Sequence, residues 1–360
     1  MNDDFATAMG RALDLTRAGA PMQATRLIQE ALHIPAAGAQ PAMAGPGAGR
    51  RLGQVVDALA SARKTMAASG QGARPVPAVP TAARYEARQH KTAFGARDYR
   101  LFVPSPRDEQ LQGLVMMLHG CTQNADDFAV GTRMNHLAEE HNMLVVYPEQ
   151  SRAANQMGCW NWFQPEHQSR GAGEPALLDD LARAVALEFF IRSGRIYVAG
   201  LSAGGAMAAI LGQAYPETFA AVGVHSGLAP GAATDMASAF AAMRSPCARS
   251  SRQRTAAVRS IVFHGSADST VSPANADAVI TAALGPVRGA ALSLPAKDGA
   301  SVTLYQDQSG ATLAEKWSLA GLDHAWSGGA AEGSYTDPKG ADASAEMLRF
   351  FIAGSGGDHS

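Results

Sequence analysis

Arg195-Ile196-Tyr197-Val198-Ala199-Gly200-Leu201-Ser202-Ala203-Gly204-Gly205-Ala206-Met207-Ala208-Ala209-Ile210-Leu211 is the stretch on which the reading of this chain turns. Its first five residues form a short apolar, partly β-branched run of the kind that makes a buried strand. The residues from Gly205 onward are good helix formers. Between them lies Gly-x-Ser-x-Gly, with glycines where a side chain would clash with a sharply reversed backbone. The spacing predicts a strand, a tight turn carrying an exposed serine, and a helix. The pentapeptide alone is weak, since a chain with 37 glycines meets it by chance. Its flanks and its downstream partners give it weight.

A serine on a strand-to-helix turn is the nucleophile elbow of an α/β-hydrolase. A serine hydroxyl attacks only when a base takes its proton, and the base needs an acid to hold its tautomer. In this fold the order along the chain is Ser, then Asp or Glu, then His. Asp268 fits the acid, because the apolar run Ile261-Val262-Phe263-His264 leads into Gly265-Ser266-Ala267-Asp268. His324 fits the base, in Gly321-Leu322-Asp323-His324-Ala325-Trp326 after the predicted strand Leu313–Leu319. Alternatives stay open: Asp268 as a turn cap near Ser272-Pro273, Asp323 or Asp277 as the acid, and His324 as an ordinary surface histidine.

Acyl transfer also needs two backbone N–H donors for the developing oxyanion. Ala203, following the nucleophile, supplies one. The loop His119-Gly120-Cys121-Thr122-Gln123, after a predicted strand Leu114–Leu118, supplies the other, and the amide of Cys121 is favoured because it follows a glycine. His119 is expected beside the hole as a structural hydrogen-bonding residue, or as a group that helps position it. The Cys121 thiol is expected to be inert, buried or touching Cys159. A Cys121–Cys159 disulfide is an alternative that a reducing cytoplasm argues against. The aromatic stretch Cys159-Trp160-Asn161-Trp162-Phe163 reads equally as a core anchor or as a hydrophobic wall for an acyl chain. In the second case Trp162, Asn161 and Trp326 are the substrate-binding candidates.

The rest of the chain bounds the answer. Its 360 residues, 46 % hydrophobic and 17 % charged, suit one large domain plus an appendage. A net charge of −2 gives no reason to expect nucleic acid or an anionic membrane as partner. Three cysteines do not make a disulfide framework. The start, Met1-Asn2-Asp3-Asp4-Phe5, has neither the basic nor the apolar region of a secretory signal, and no apolar run approaches membrane-spanning length. The expected location is therefore cytoplasmic. Residues 1–34 read as a short helical extension and 35–82 as an Ala/Gly/Pro-rich linker. Residues 83–353 read as the α/β domain, with a mostly parallel sheet and helices on both faces, and 354–360 as a tail.

Four motifs occur together in order: Leu118-His119-Gly120-Cys121-Thr122-Gln123, Cys159-Trp160-Asn161-Trp162-Phe163, Gly200-Leu201-Ser202-Ala203-Gly204-Gly205 and His324-Ala325-Trp326-Ser327-Gly328-Gly329. Over roughly residues 85–352 the chain resembles the type 1 catalytic domain of short-chain polyhydroxyalkanoate (poly-3-hydroxybutyrate, PHB) depolymerases, a group close to feruloyl and acetylxylan esterases. The resemblance implies a serine esterase that cleaves 3-hydroxyacyl esters without a metal or organic cofactor, with its triad on Ser202, Asp268 and His324. No signal peptide and no polymer-binding domain like those of secreted members are expected from this sequence. On this point it resembles intracellular depolymerases that act on a polyester storage granule or on soluble hydroxyalkanoate oligomers.

Overall fold

The computed structural model describes residues 76–78, 80–246, 257–285 and 290–354. The chain divides into two compact units, Met1–Gly72 and Ala73–Ser360. The first unit lies outside the described residues, and with it the expected helices of 1–34 and most of the expected linker. The tail from 355 and Cys247 lie outside them too.

Within the second unit ten strands form one sheet. They are β1 (Arg84–Thr92), β2 (Gly95–Val103), β3 (Gly113–Leu118), β4 (Met143–Pro148), β5 (Ile196–Leu201), β6 (Ala221–His225), β7 (Ser260–Gly265), β8 (Ala290–Pro295), β9 (Ala300–Gln306) and β10 (Thr312–Leu319). The spatial order is β1-β2-β4-β3-β5-β6-β7-β10-β9-β8. From β4 across to β10 every pairing is parallel, whereas β1–β2, β2–β4, β9–β10 and β8–β9 are antiparallel. The central strands are buried at every residue, as expected of parallel strands covered on both faces.

The two-residue side-chain period splits β3 between two cores. Leu114, Met116 and Leu118 point to a cluster with Leu178, Leu181, Met207, Val279 and Ile280. Val115 and Met117 point to the opposite cluster with Phe128, Met134, Met347 and Phe351. The helices follow the same division. Helices α3 (Gly173–Glu188), α4 (Ala203–Ala214), α5 (Met236–Arg244) and α6 (Asn275–Leu284) lie over the first face. Helices α1 (Ala125–Thr132), α2 (Met134–Glu140) and α7 (Ala343–Ala353) lie over the second. No described helix is long and apolar enough to cross a membrane.

The sequence predicts one helix over 126–140, but the structure breaks it at Arg133, whose φ is 54°. The break turns the Arg133 guanidinium onto the Gly328 carbonyl at 2.9 Å and the Asp342 carboxylate at 2.7 Å. This anchors the start of α7 to the α1–α2 corner. The chain leaves β3 toward β4 on one side and returns to β5 on the other. The ends of β3 and β5 therefore flank a topological switch point, where α/β sheets open a crevice.

Candidate active site

Ser202 occupies that crevice. It follows β5 and caps α4 with φ 57° and ψ −117°, a backbone conformation rare for a residue with a side chain. Its N–H donates to the His225 carbonyl at 2.9 Å, and its own carbonyl accepts from Ala206 N at 2.9 Å. The turn tolerates only glycine at two neighbours. A Cβ on Gly200 would lie 2.4 Å from the Gly204 carbonyl carbon, and one on Gly204 would lie 2.0 Å from the Leu118 oxygen. Those glycines let α4 start against the ends of β3 and β5, leaving the Ser202 side chain half-buried at the rim.

Asp268 lies on the loop after β7. Its Oδ2 accepts from His324 Nδ1 at 2.8 Å, and its Oδ1 accepts the N–H groups of Thr270 at 3.0 Å and Val271 at 2.8 Å. Burial opposes the charge on Asp268, but bonds from His264 and His324, with the His324 charge and the Val271 N–H, outweigh it. The carboxyl is held well below its ordinary range. An ionised carboxylate only accepts, so Nδ1 of His324 carries a proton and Nε2 is the nitrogen left to act as the base. The other acids are engaged elsewhere. Asp323 accepts from Ser269 N and Oγ at 3.0 and 3.1 Å, and Asp277 pairs with Lys316 at 2.6 Å.

Two further histidines, missed in the sequence, surround this pair. His264 Nε2 lies 3.3 Å from Asp268 Oδ2 and 2.9 Å from the Val271 carbonyl. Both partners are acceptors, so Nε2 carries the proton. His225 stacks between Phe263 and Trp326, with ring centroids 5.8 and 5.2 Å away. Its Nε2 accepts from Ser327 N at 3.2 Å, which leaves Nδ1–H to donate to Ser226 Oγ. Burial, helped by the nearby His264 and His324 charges, lowers its pKa to about 3, so it stays neutral. The available signal was position: His225 and His264 both sit at the C-terminal ends of parallel strands.

The loop after β3 is stapled on several sides. Gly120 N–H donates to Gln123 Oε1 at 2.9 Å and Thr122 N–H to the Met157 carbonyl at 2.9 Å. The Gln123 amide donates to Asp127 and to the Ser334 carbonyl, both at 2.9 Å. The N–H groups of Cys121 and Ala203 have no acceptor among the described residues. They follow β3 and β5, which are register neighbours at Leu118 and Gly200. Two free amides beside the elbow are the arrangement an oxyanion requires. His119 is buried with both ring nitrogens engaged. Nδ1 donates to the Gly120 carbonyl at 2.8 Å, and Nε2 accepts from Gln150 N at 3.1 Å. Burial lowers its pKa to about 4, so it is a neutral support behind the loop.

Three expectations need correction. Cys121 and Cys159 are joined by a disulfide, not left as thiols: their Cα atoms are 4.2 Å apart and the sulfurs 2.01 Å. Trp326 is fully buried against Phe128 and His225, with its indole N–H on Ser344 Oγ at 3.0 Å, and lines no substrate wall. Trp162 and Asn161 are buried as well. Trp162 packs edge-on to Phe163, and Asn161 spends its amide on Glu174 and Asn155 at 2.9 Å each. Buried Glu174 also accepts the Asn161 N–H at 2.8 Å and a bond from Gln150, whose Oε1 takes Arg97 at 2.6 Å. The 159–163 stretch is thus a core anchor that fixes the far end of the disulfide. Among the described residues no group of three His, Cys, Asp or Glu side chains could hold a metal ion.

The fold and this arrangement define a class, the α/β-hydrolases with a serine elbow. Solved structures agree on the fold. An acetyl xylan esterase from Aspergillus awamori superposes with a TM-score of 0.56 at 18 % identity, covering 74 % of this chain and 98 % of that one. An S-formylglutathione hydrolase from Agrobacterium tumefaciens gives 0.52 at 14 % identity, over 77 % and 97 %. The family model described as Esterase PHB depolymerase matches residues 97–290, and the chain belongs to that family. Ser202 and Asp268 fall inside the matched span and His324 beyond it. A poly(3-hydroxyalkanoate) depolymerase C from Paucimonas lemoignei is 30 % identical over 226 residues, 59 % of this chain and 54 % of that one. An acetylxylan esterase A from Talaromyces purpureogenus is 27 % identical over 208 residues, 52 % and 54 % respectively. The chain spans about half the length of these curated relatives.

Proposed function

We propose that the protein is a serine esterase acting on short-chain polyhydroxyalkanoate esters, poly(3-hydroxybutyrate) among them. The observation that carries the chemistry is the Asp268–His324 hydrogen bond of 2.8 Å, at the same C-terminal end of the sheet as the strained Ser202 elbow. In the proposed reaction His324 Nε2 takes the Ser202 proton as Oγ attacks the ester carbonyl. The amides of Cys121 and Ala203 hold the oxyanion. His324 then returns the proton to the leaving alcohol, and the acyl-enzyme forms. Water, deprotonated by the same imidazole, releases the hydroxyacid and restores Ser202.

Family membership and the depolymerase relative support the substrate class. The acyl chain is assigned to the exposed apolar side chains bordering the oxyanion loop. Met157, whose carbonyl holds Thr122 N, and Tyr335, whose hydroxyl lies 3.2 Å from Thr122 Oγ1, are both well exposed. The proposed partner is a polyester granule or a soluble hydroxyalkanoate oligomer. An acetylated or feruloylated sugar is the second reading, favoured by the acetylxylan esterase relative. Relative kcat/KM for 3-hydroxybutyrate oligomers, acetylated xylan and a feruloyl ester tests the choice. Preference for the oligomers is expected, and preference for either sugar ester overturns it.

A further inference from the structure

The two edges of the sheet are built differently. β1 carries Arg84, Glu86, Arg88, His90 and Lys91 over nine residues, the charged edge that natural sheets use to refuse new strands. β8, at the other edge, reads Ala290-Ala291-Leu292-Ser293-Leu294-Pro295 and carries no ionisable group. Leu292 and Leu294 are 49 % and 40 % exposed. They lie across from Leu304 and Val302 of β9, so they extend the core that contains Trp317 to the rim, where no described element covers it.

The outward hydrogen-bonding groups of β8 can be assigned. Pairing with β9 continues to Ala296, whose N–H donates to the Ala300 carbonyl at 2.9 Å. Ser293 and Thr303, paired in the register, bring their hydroxyls within 2.9 Å, as a close, non-hydrogen-bonded pair does. Even-numbered residues of β8 therefore bond to β9. Ala291, Ser293 and Pro295 turn their backbone groups outward, where the missing N–H of Pro295 costs the sheet nothing.

From this edge we infer that β8 is a homodimer interface, pairing antiparallel with β8 of a second copy about a two-fold axis through Ser293. That register uses both outward N–H groups of each strand. Ser293 N–H meets the Ser293 carbonyl of the other copy, and Ala291 N–H meets the Pro295 carbonyl, four bonds in all. It also sets Leu292 opposite Leu294 of the other copy twice over, at the close positions where Cα atoms stand about 4.5 Å apart. The leucines of the two copies then close the open rim of both cores. No like charges meet, and because β1 is guarded the assembly stops at two. Antiparallel pairing makes the parallel strands of the two copies run in opposite directions. The two Ser202 crevices open on opposite edges of the joined sheet, so β8 pairing sets neither crevice against the other copy's sheet. An interface of a single strand is small among protein pairs, so the dimer is expected to dissociate on dilution.

The test is the molar mass of the full chain by light scattering and sedimentation velocity across a dilution series, for the parent, Leu292→Lys/Leu294→Lys and Ser293→Pro. Ser293→Pro removes an outward N–H and leaves the β9 ladder intact. Hydrolysis of p-nitrophenyl acetate and the melting curve report folding. The expected result is twice the chain mass at high concentration for the parent only, with parent-like turnover in all three. A parent that is monomeric throughout, or a dimer that survives in folded variants, would overturn the interface.

Discussion

His264 Nε2 stands 3.3 Å from Asp268 Oδ2, the same oxygen that accepts the hydrogen bond of His324 Nδ1–H at 2.8 Å. The acid of the candidate triad is therefore oriented by two histidines, one from the strand end and one from the base loop. A hydrogen bond to a charged group contributes about 1.5–3 kcal/mol. Replacing His264 with Phe is expected to lower kcat about 10- to 100-fold with KM nearly unchanged, because Asp268 loses orientation and substrate contacts do not move. His264→Gln, which keeps a donor, recovers part of the loss. Steady-state kinetics on a soluble ester checks this, and parent-like kcat in the Phe variant contradicts it.

Stability should fall in mild acid through the buried neutral histidines. Both His225 and His119 have folded pKa values lowered by burial, to about 3 and about 4. Between these values and the unfolded value of about 6.5 the unfolded chain binds more protons, so stability decreases as pH falls through this window. At pH 5 each contributes a loss of about 2 kcal/mol. Asp268 works the other way. Its depressed pKa gives stability that persists down to about pH 3.9 and is lost only below. Urea midpoints at pH 7, 6 and 5 should decline for the parent and decline less for His225→Gln. Equal slopes would show that His225 is not held neutral.

The Cys121–Cys159 bond clamps the loop that carries one candidate oxyanion donor. Losing such a donor costs about 100- to 1,000-fold in kcat, and loosening it costs part of that. Cys159→Ser is expected to reduce kcat about 10-fold and to lower the melting temperature, and reductant should do the same to the parent. Unchanged kcat after verified reduction would mean that the hydrogen bonds of Gln123 and Thr122 hold the loop unaided.

That bond also bears on location. Disulfides persist in oxidising compartments and are rare in the reducing cytosol. The cytoplasmic expectation and the disulfide thus make opposite forecasts for protein alkylated in intact cells. We expect Cys121 and Cys159 to resist alkylation. Full alkylation in active cells would return the protein to the cytoplasm.

Much of the fold was legible. Continuous apolar runs such as Leu114–Leu118 and Ile261–His264 announce buried parallel strands, and the glycines around Ser202 announce the elbow. Short, weakly patterned pieces were not: the β8–β9 hairpin, and the break at Arg133, which depends on contacts to Gly328 and Asp342 far along the chain. The Ser202 elbow and the Asp268–His324 pair could be anticipated because chain order and strand ends constrain them. The roles of Trp162, Asn161 and Trp326 could not be, because an aromatic or amide residue near a motif reads alike whether it faces solvent or core. Burial of all three decided it.

If Met157 and Tyr335 receive the acyl chain, Tyr335→Ser and Met157→Ser should raise KM several-fold for p-nitrophenyl butyrate and less for the acetate, since only the longer chain loses apolar contact. A parallel rise for both esters would place the acyl pocket elsewhere.

The most direct measurement is release of 3-hydroxybutyrate from amorphous poly(3-hydroxybutyrate) granules by the parent and by Ser202→Ala. The account predicts release by the parent and none above background by the variant, which should keep the parent's melting curve. Release by a folded Ser202→Ala protein, or none by a parent that still cleaves p-nitrophenyl butyrate, would contradict the nucleophile in the first case and the substrate in the second.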